Sequence, residues 1–547
     1  MVRRRKKIRS GRVMSVFLLC AIMLLGDAGM MTIQAAPSTG RAANLVVIVR
    51  YQGDTVGDDD TGYNTPYTSQ ISGAPTTYWG LLQRRFNGEN DTFAIGSFRE
   101  YLSRLSGGAH QVESLFPQTV SGERVEYITL DKTLAEYQGS NEISLVAEVA
   151  QKLTEKYPTY DGTLLDRDGD GAIDNLMILA SVPKTGQFTP HTTNAGNSYT
   201  FAGKTIGYYN ILETCTTTLS SGTFWDSFDI ATAAHEYVHT FGVPDYYRTS
   251  GMNGTPVGMW DLMAGSLGRP SLLATTRENI GWTKIAQKTA TSSTYTLYDM
   301  DSAYANGGKS QAYKFYTPFS SSEYFVVEYR RPGKKYSADL DQNMSGAGLI
   351  VYRVNPAYAT DGNLRGNDYI YVFRPDDTGG NASAGDITKA AAGMPTYISG
   401  RQSIGLEDLS KTIVDNAICY SDGRNSGMTI SVTAQTDDSI TFDVTFPDYA
   451  NMNLWETVTS QDGTTPLSTM NASATQLATD GNAIYVLAQN TNSSTVLQYD
   501  GANWTNLGKP IDNVSSSVSI ESCNGSLYAL ISDYRNNCSV LKKDSGN

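Results

Sequence analysis

Two histidines four residues apart, with a glutamate directly after the first, are the side chains of this 547-residue sequence best spaced for chemistry. On an α-helix, His235 and His239 lie on one face, one turn apart. Two imidazoles so placed can share one metal ion, each at about 2.0–2.1 Å. Glu236 can reach a water on that metal, the position of a general base in metal-assisted hydrolysis. Gly242 can take the left-handed conformation that ends a helix, and Pro244 forbids its continuation. Asp245 then returns toward the metal as the candidate third ligand. Three protein ligands leave a fourth position for water, the arrangement of a catalytic rather than a structural zinc site. A surface helix that happens to carry two histidines is the plainer alternative. Against it, the chain has only four histidines, and Phe228-Asp-Ile-Ala-Thr-Ala-Ala234 suits a helix entering a core.

The segment HEYVHTFGVPD, followed by Gly258-Met-Trp-Asp-Leu-Met-Ala-Gly265 and by Thr276-Arg-Glu-Asn-Ile-Gly-Trp282, resembles the immune inhibitor A family of secreted bacterial zinc metallopeptidases. The resemblance runs from about Asn44 to Pro447. It implies a zincin-type α/β domain, catalytic Zn2+ and protein substrates. It also implies a methionine turn in which Met263 forms a hydrophobic floor beneath the metal without ligating it. Because some zinc peptidases draw a glutamate from a later helix, Glu278 competes with Asp245 as third ligand. The short fixed distance from His239 favours Asp245. Tyr246 or Tyr247 can donate to an oxyanion, or both can simply pack.

A second metal candidate is Asp166-Arg-Asp-Gly-Asp-Gly-Ala-Ile-Asp174. Asp166, Asp168, Asp170 and Asp174 hold positions 1, 3, 5 and 9 of a calcium loop, with Gly171 at the turn. Position 12 is Met177, so the loop is not a complete EF-hand. Four carboxylates this close repel one another unless a cation neutralises them, which points to structural Ca2+. The alternative is a solvated acidic turn. His191 reads as an ordinary loop histidine.

Residues 1–35 read as a secretory signal: a basic start, an apolar run from Val13 to Leu25 too short for a comfortable span, and a cleavage site at Ile33-Gln34-Ala35. A retained anchor is the alternative. The segment carries seven of the 42 basic residues and one of the 55 acidic residues, so its removal takes the net charge from −13 to about −19. That charge argues against nucleic acid or an anionic membrane as partner. Low cysteine usage excludes a disulfide-built scaffold, although the spacing of Cys523 and Cys538 allows a bridge on one hairpin.

The elements that must position these residues begin with Asn44–Arg50, a buried strand. Ser97–Leu105 and Ile143–Leu153 carry helical apolar stripes. Thr205–Leu212 is expected, by analogy, as the edge strand lining the cleft. Alternating helices and strands define a zinc metallopeptidase domain over 40–290. Residues 291–448 shift to short alternating runs, an antiparallel β-sandwich. Residues 449–547 repeat themselves: Ala483–Val486 matches Ser526–Ala529, and Val496–Asp500 matches Val540–Asp544. That period resembles β-propeller blades, but about two fit where four or more are needed to close. The expected fold is therefore a multidomain α+β chain ending in a truncated repeat module that can bind a cell-surface polymer or act as a spacer. The expected function is secreted zinc endopeptidase. A surface-polymer-binding or adhesin-like protein using the peptidase domain as scaffold is the rival.

Overall fold

The computed structural model describes residues 36–543 apart from 54–77, 89–95, 118–126, 182–189, 215, 219–223, 227–228, 250–251, 306–308, 334–339, 365–366, 378–384, 450–472, 480–481, 491–492, 509–516, 524–525 and 533–537. The expected signal segment and Cys215 lie outside the described residues. The chain divides into two compact units, Met1–Tyr449 and Ala450–Asn547.

At the centre of the first unit is a sheet in the strand order His110–Leu115, Gly40–Arg50, Leu176–Ser181, Tyr208–Thr214, His191–Asn194. The first four run parallel, and His191–Asn194 closes the edge antiparallel to Tyr208–Thr214. The apolar run of Gly40–Arg50 is buried on both faces, as a central parallel strand requires. Successive side chains point to opposite faces. Val46 and Ile48 therefore pack with helices Phe98–Leu105 and Ile230–His239, while Leu45, Val47 and Val49 pack with helix Ile143–Lys156. The edge strand expected at Thr205–Leu212 is displaced outward by one position: Tyr208–Thr214 is internal, and His191–Asn194 lies outside it. Such a short polar strand carries no apolar period to announce it.

A five-stranded sheet follows, in the order Ala286–Lys288, Ala312–Phe315, Tyr324–Arg330, Gly348–Val354, Ile370–Val372. It faces a four-stranded antiparallel sheet of Ser293–Tyr298, Ser439–Thr445, Thr429–Gln435 and Ser403–Ile404. Tyr324–Arg330 and Gly348–Val354 are buried along their whole length. Phe325, Val327, Leu349 and Val351 fill the core between the two sheets, while Val326, Ile350, Tyr352 and Val354 join the core that holds helix Ile230–His239. The segments on either side of residue 290 thus share one core.

In the second unit, strands Ser473–Thr479, Ile484–Asn490, Ser493–Tyr499 and Trp504–Gly508 form one antiparallel meander, and Ser517–Cys523, Ser526–Ser532 and Cys538–Lys542 form another. Their inner faces share a small core, and Gln476 clips them by accepting from Ile520 N and donating to Ile520 O. The bridge between Cys523 and Cys538 does not form. Cys523 pairs with Ser526 at one end of the middle strand and Cys538 with Ser532 at the other. At 3.2–3.4 Å per residue those ends are about 20 Å apart, beyond any disulfide.

Candidate metal centre

The helix Ile230–His239 starts where the Asp229 carboxylate accepts from the backbone N–H groups of Ala231 and Thr232, satisfying two of the orphan donors of its first turn. It is buried over Ala233–Val238, against the sheet on one side and helix Phe98–Leu105 on the other. It ends through Thr240, and Gly242 follows at φ +77°, its N–H donating to His239 O. That left-handed step and Pro244 bring Asp245 back over the two imidazoles.

Asp245 Oδ1 lies 3.0 Å from His235 Nε2 and 3.3 Å from His239 Nε2. The two rings are nearly perpendicular, with centroids 4.8 Å apart. His235 Nδ1 donates to Leu262 O at 2.8 Å, and His239 Nδ1 donates to Val243 O at 2.7 Å. A carbonyl oxygen only accepts, so each Nδ1 carries a hydrogen and each Nε2 is turned toward Asp245. Two nitrogens and a carboxylate oxygen then converge, an arrangement that a proton or a cation can bridge. Ligands about 2.0–2.1 Å from a tetrahedral ion lie about 3.3 Å from one another, so the spacing suits zinc. Burial pushes the Asp245 carboxyl upward, but the hydrogen bonds and charges of His235 and His239 more than reverse it and hold it below the usual range. Burial likewise opposes protonation of His235, and the Asp245 hydrogen bond and Glu236 charge overcome it. The residues present fit a metal.

No protein-family model matches the chain. Among curated proteins it is similar to the Pre-pro-metalloprotease PrtV of Vibrio cholerae, in serotype O1 strains M66-2 and ATCC 39315. Each is 28% identical over 226 residues, which cover 35% of this chain and 23% of the relative. The chain thus spans about a quarter of the length of these relatives. This relates it to a bacterial metalloprotease.

Around the three side chains, several residues set the geometry. Asp261 is fully buried, and its carboxylate accepts from Met263 N, Leu273 N and the Thr276 hydroxyl, fixing the turn Leu262–Ala264 whose first carbonyl orients His235. Met263 is buried in that turn, and its carbonyl accepts from Tyr246 N. Asn363, in the loop after Gly348–Val354, donates its N–H to Asp245 O and its Nδ2 to Tyr246 O. Neither Asn363 nor Leu262 carries a sequence signal for this role, because each acts through a contact made only in the folded chain. Asp261 does, as an Asp in the capping position before a short helical turn.

The other candidates separate. Glu278 pairs with Lys314 Nζ at 2.9 Å and accepts from Ile285 N, so its carboxylate is engaged there. Tyr246 is fully buried, with Thr276 Oγ1 3.4 Å from its hydroxyl. Tyr247 is 42% exposed and its ring stacks beside His235. Burial, the Asp245 charge and a hydrogen bond to Asp245 raise its phenol above the usual range. His191 lies in the edge strand, 2.7 Å from Glu142 Oε1, rather than in a loop.

In the acidic loop, Asp166, Asp168 and Asp174 bring oxygens within 4.8 Å of one another. Asp170 stands outside that group, and its Oδ1 accepts from Ala172 N. Burial, reinforced by the Asp168 and Asp166 charges, lifts the Asp174 carboxyl to about 7 despite N–H donors from Ala43 and Arg167. Lys204 Nζ sits 2.6 Å from Asp166 Oδ2 and supplies part of the missing positive charge.

Proposed function

We propose that this chain is a secreted zinc endopeptidase of the immune inhibitor A type, with His235, His239 and Asp245 holding the metal and Glu236 as general base. The convergence of two Nδ1-anchored imidazoles and one carboxylate beside a buried glutamate carries this reading, and the metalloprotease relationship supports it. When bound, zinc supplies Lewis-acid polarisation of the scissile carbonyl and lowers the pKa of a water to about 7. Glu236 takes the proton of the attacking water and passes it to the leaving amine. The Leu262 and Val243 carbonyls hold both rings in the tautomer that leaves Nε2 free. Tyr247, half-exposed beside His235, can turn its phenolic donor from Asp245 to the carbonyl oxygen. Asp166, Asp168 and Asp174 hold a structural calcium ion, with Asp170 at its margin. Residues 1–35 direct export, and the Ala450–Asn547 unit places the enzyme on a surface polymer or spaces it from one.

The test is Glu236→Ala. The variant retains zinc, while cleavage of casein falls by about 10²–10⁴-fold. Cleavage at the wild-type rate removes Glu236 from the mechanism.

A further inference from the structure

Behind the histidine helix, a row of polar side chains crosses the otherwise apolar central sheet. Asn44, Asn175 and Asn210 are all completely buried. Asn44 lies in Gly40–Arg50, Asn175 directly before Leu176–Ser181, and Asn210 in Tyr208–Thr214, three neighbouring strands. An amide buried without partners costs several kcal/mol, so its placement here needs a use. Asn175 Nδ2 donates to Asn44 Oδ1 at 2.8 Å and to Asn210 Oδ1 at 2.7 Å, which uses both of its hydrogens. With its oxygen taken, Asn210 must turn its Nδ2 outward, where it donates to Thr192 Oγ1 at 3.0 Å and to Glu236 O at 3.1 Å.

Thr192 is the residue directly opposite Asn210 across the strand pair, on the sheet edge. Its oxygen accepts from Asn210, so its single hydrogen faces Glu236: the backbone carbonyl at 2.6 Å and Oε2 at 3.0 Å. That carbonyl is among the last four of the helix, which have no donor within it. Two donors from the sheet meet it instead. The one hydroxyl hydrogen is thus shared between the main-chain carbonyl and the carboxylate of Glu236.

We propose that Thr192 is a positioning residue for the general base, its hydroxyl oriented by the Asn44–Asn175–Asn210 ladder so that the Glu236 carboxylate is held in one rotamer. This rests on the reading of Glu236 given above. Thr192 touches neither metal nor substrate in this role. Its removal leaves the ligands in place and lowers the fraction of time the carboxylate spends in the productive orientation.

The experiment compares Thr192→Val, Thr192→Ala and Thr192→Ser in the full zinc-loaded chain. Each is measured for kcat and KM on a fluorogenic peptide, for zinc affinity by chelator competition, and for thermal midpoint. Thr192→Val and Thr192→Ala lower kcat by about 10–100-fold, the usual cost of losing an outer hydrogen-bond partner in such sites. KM and zinc affinity stay within about threefold, and Thr192→Ser restores most of kcat. A wild-type kcat in both deletions overturns the proposal. So does a loss that Thr192→Ser shares, or one matched by an equal loss of zinc or of folded protein. Glu236→Ala assayed in parallel separates the two readings. A silent Thr192 with an inactive Glu236→Ala fails the positioning role alone, and an active Glu236→Ala fails the general-base assignment beneath it.

Discussion

At the residue scale, the grouping of His235, His239 and Asp245 was legible because covalent spacing sets it, whereas contacts set by strand register were not. His235, Glu236 and His239 follow from helical periodicity, and Asp245 from a turn that Gly242 and Pro244 dictate. Thr192 was invisible, because it reaches Glu236 only through its pairing with Asn210. His110 was equally silent, though it sits fully buried behind the histidine helix, its Nε2 3.1 Å from the Tyr237 hydroxyl and its ring against Trp282 and Phe241. Burial lowers its pKa from 6.5 to about 4. The folded chain therefore keeps His110 neutral where the unfolded chain would already bind a proton. Stability falls as pH drops from 6.5 to about 4, by up to about 3 kcal/mol at the lower limit. Denaturant unfolding of His110→Gln against wild type checks this: their stability difference changes across that window. A difference independent of pH would show that His110 titrates normally.

At the element scale, the strands after residue 290 were readable as alternating runs, but their bearing on the site was not. Tyr324–Arg330 and Gly348–Val354 are instead buried along their whole length because both faces are covered, one by the opposing sheet and one by the core beneath the histidine helix. The loop that follows grips Asp245: Asn363 donates to Asp245 O, and Gly362, at φ +60°, lies so close that an added Cβ would fall 2.2 Å from that oxygen. Gly362→Ala therefore combines an unfavourable backbone conformation with a backbone collision. Zinc affinity, read by chelator competition, falls by about tenfold or more, and unfolding free energy drops by at least about 1 kcal/mol. An unchanged affinity would mean that Asp245 is placed without this loop.

At the scale of the whole molecule, the chain divides between Tyr449 and Ala450, and the similar segments Ile484–Val486 and Leu527–Ala529 lie in strands Ile484–Asn490 and Ser526–Ser532. The shared core across residue 290 was not legible in the sequence, since nothing local records which sheet face meets which helix. The acidic loop joins this scale because Asp174 accepts from Ala43 N, tying the loop to the central strand. Removing calcium with a selective chelator at fixed zinc lowers the thermal midpoint and hastens self-digestion; no change in either dismisses calcium from the loop. That three side chains of one turn-and-helix hold a catalytic zinc is checked by metal analysis of purified wild type and Asp245→Ala alongside a peptide-cleavage assay. Stoichiometric zinc and cleavage are expected in the wild type, with both lost or sharply reduced in Asp245→Ala. A wild-type protein that carries no transition metal and leaves polypeptides intact, or an Asp245→Ala that keeps zinc and full activity, would contradict the zinc assignment.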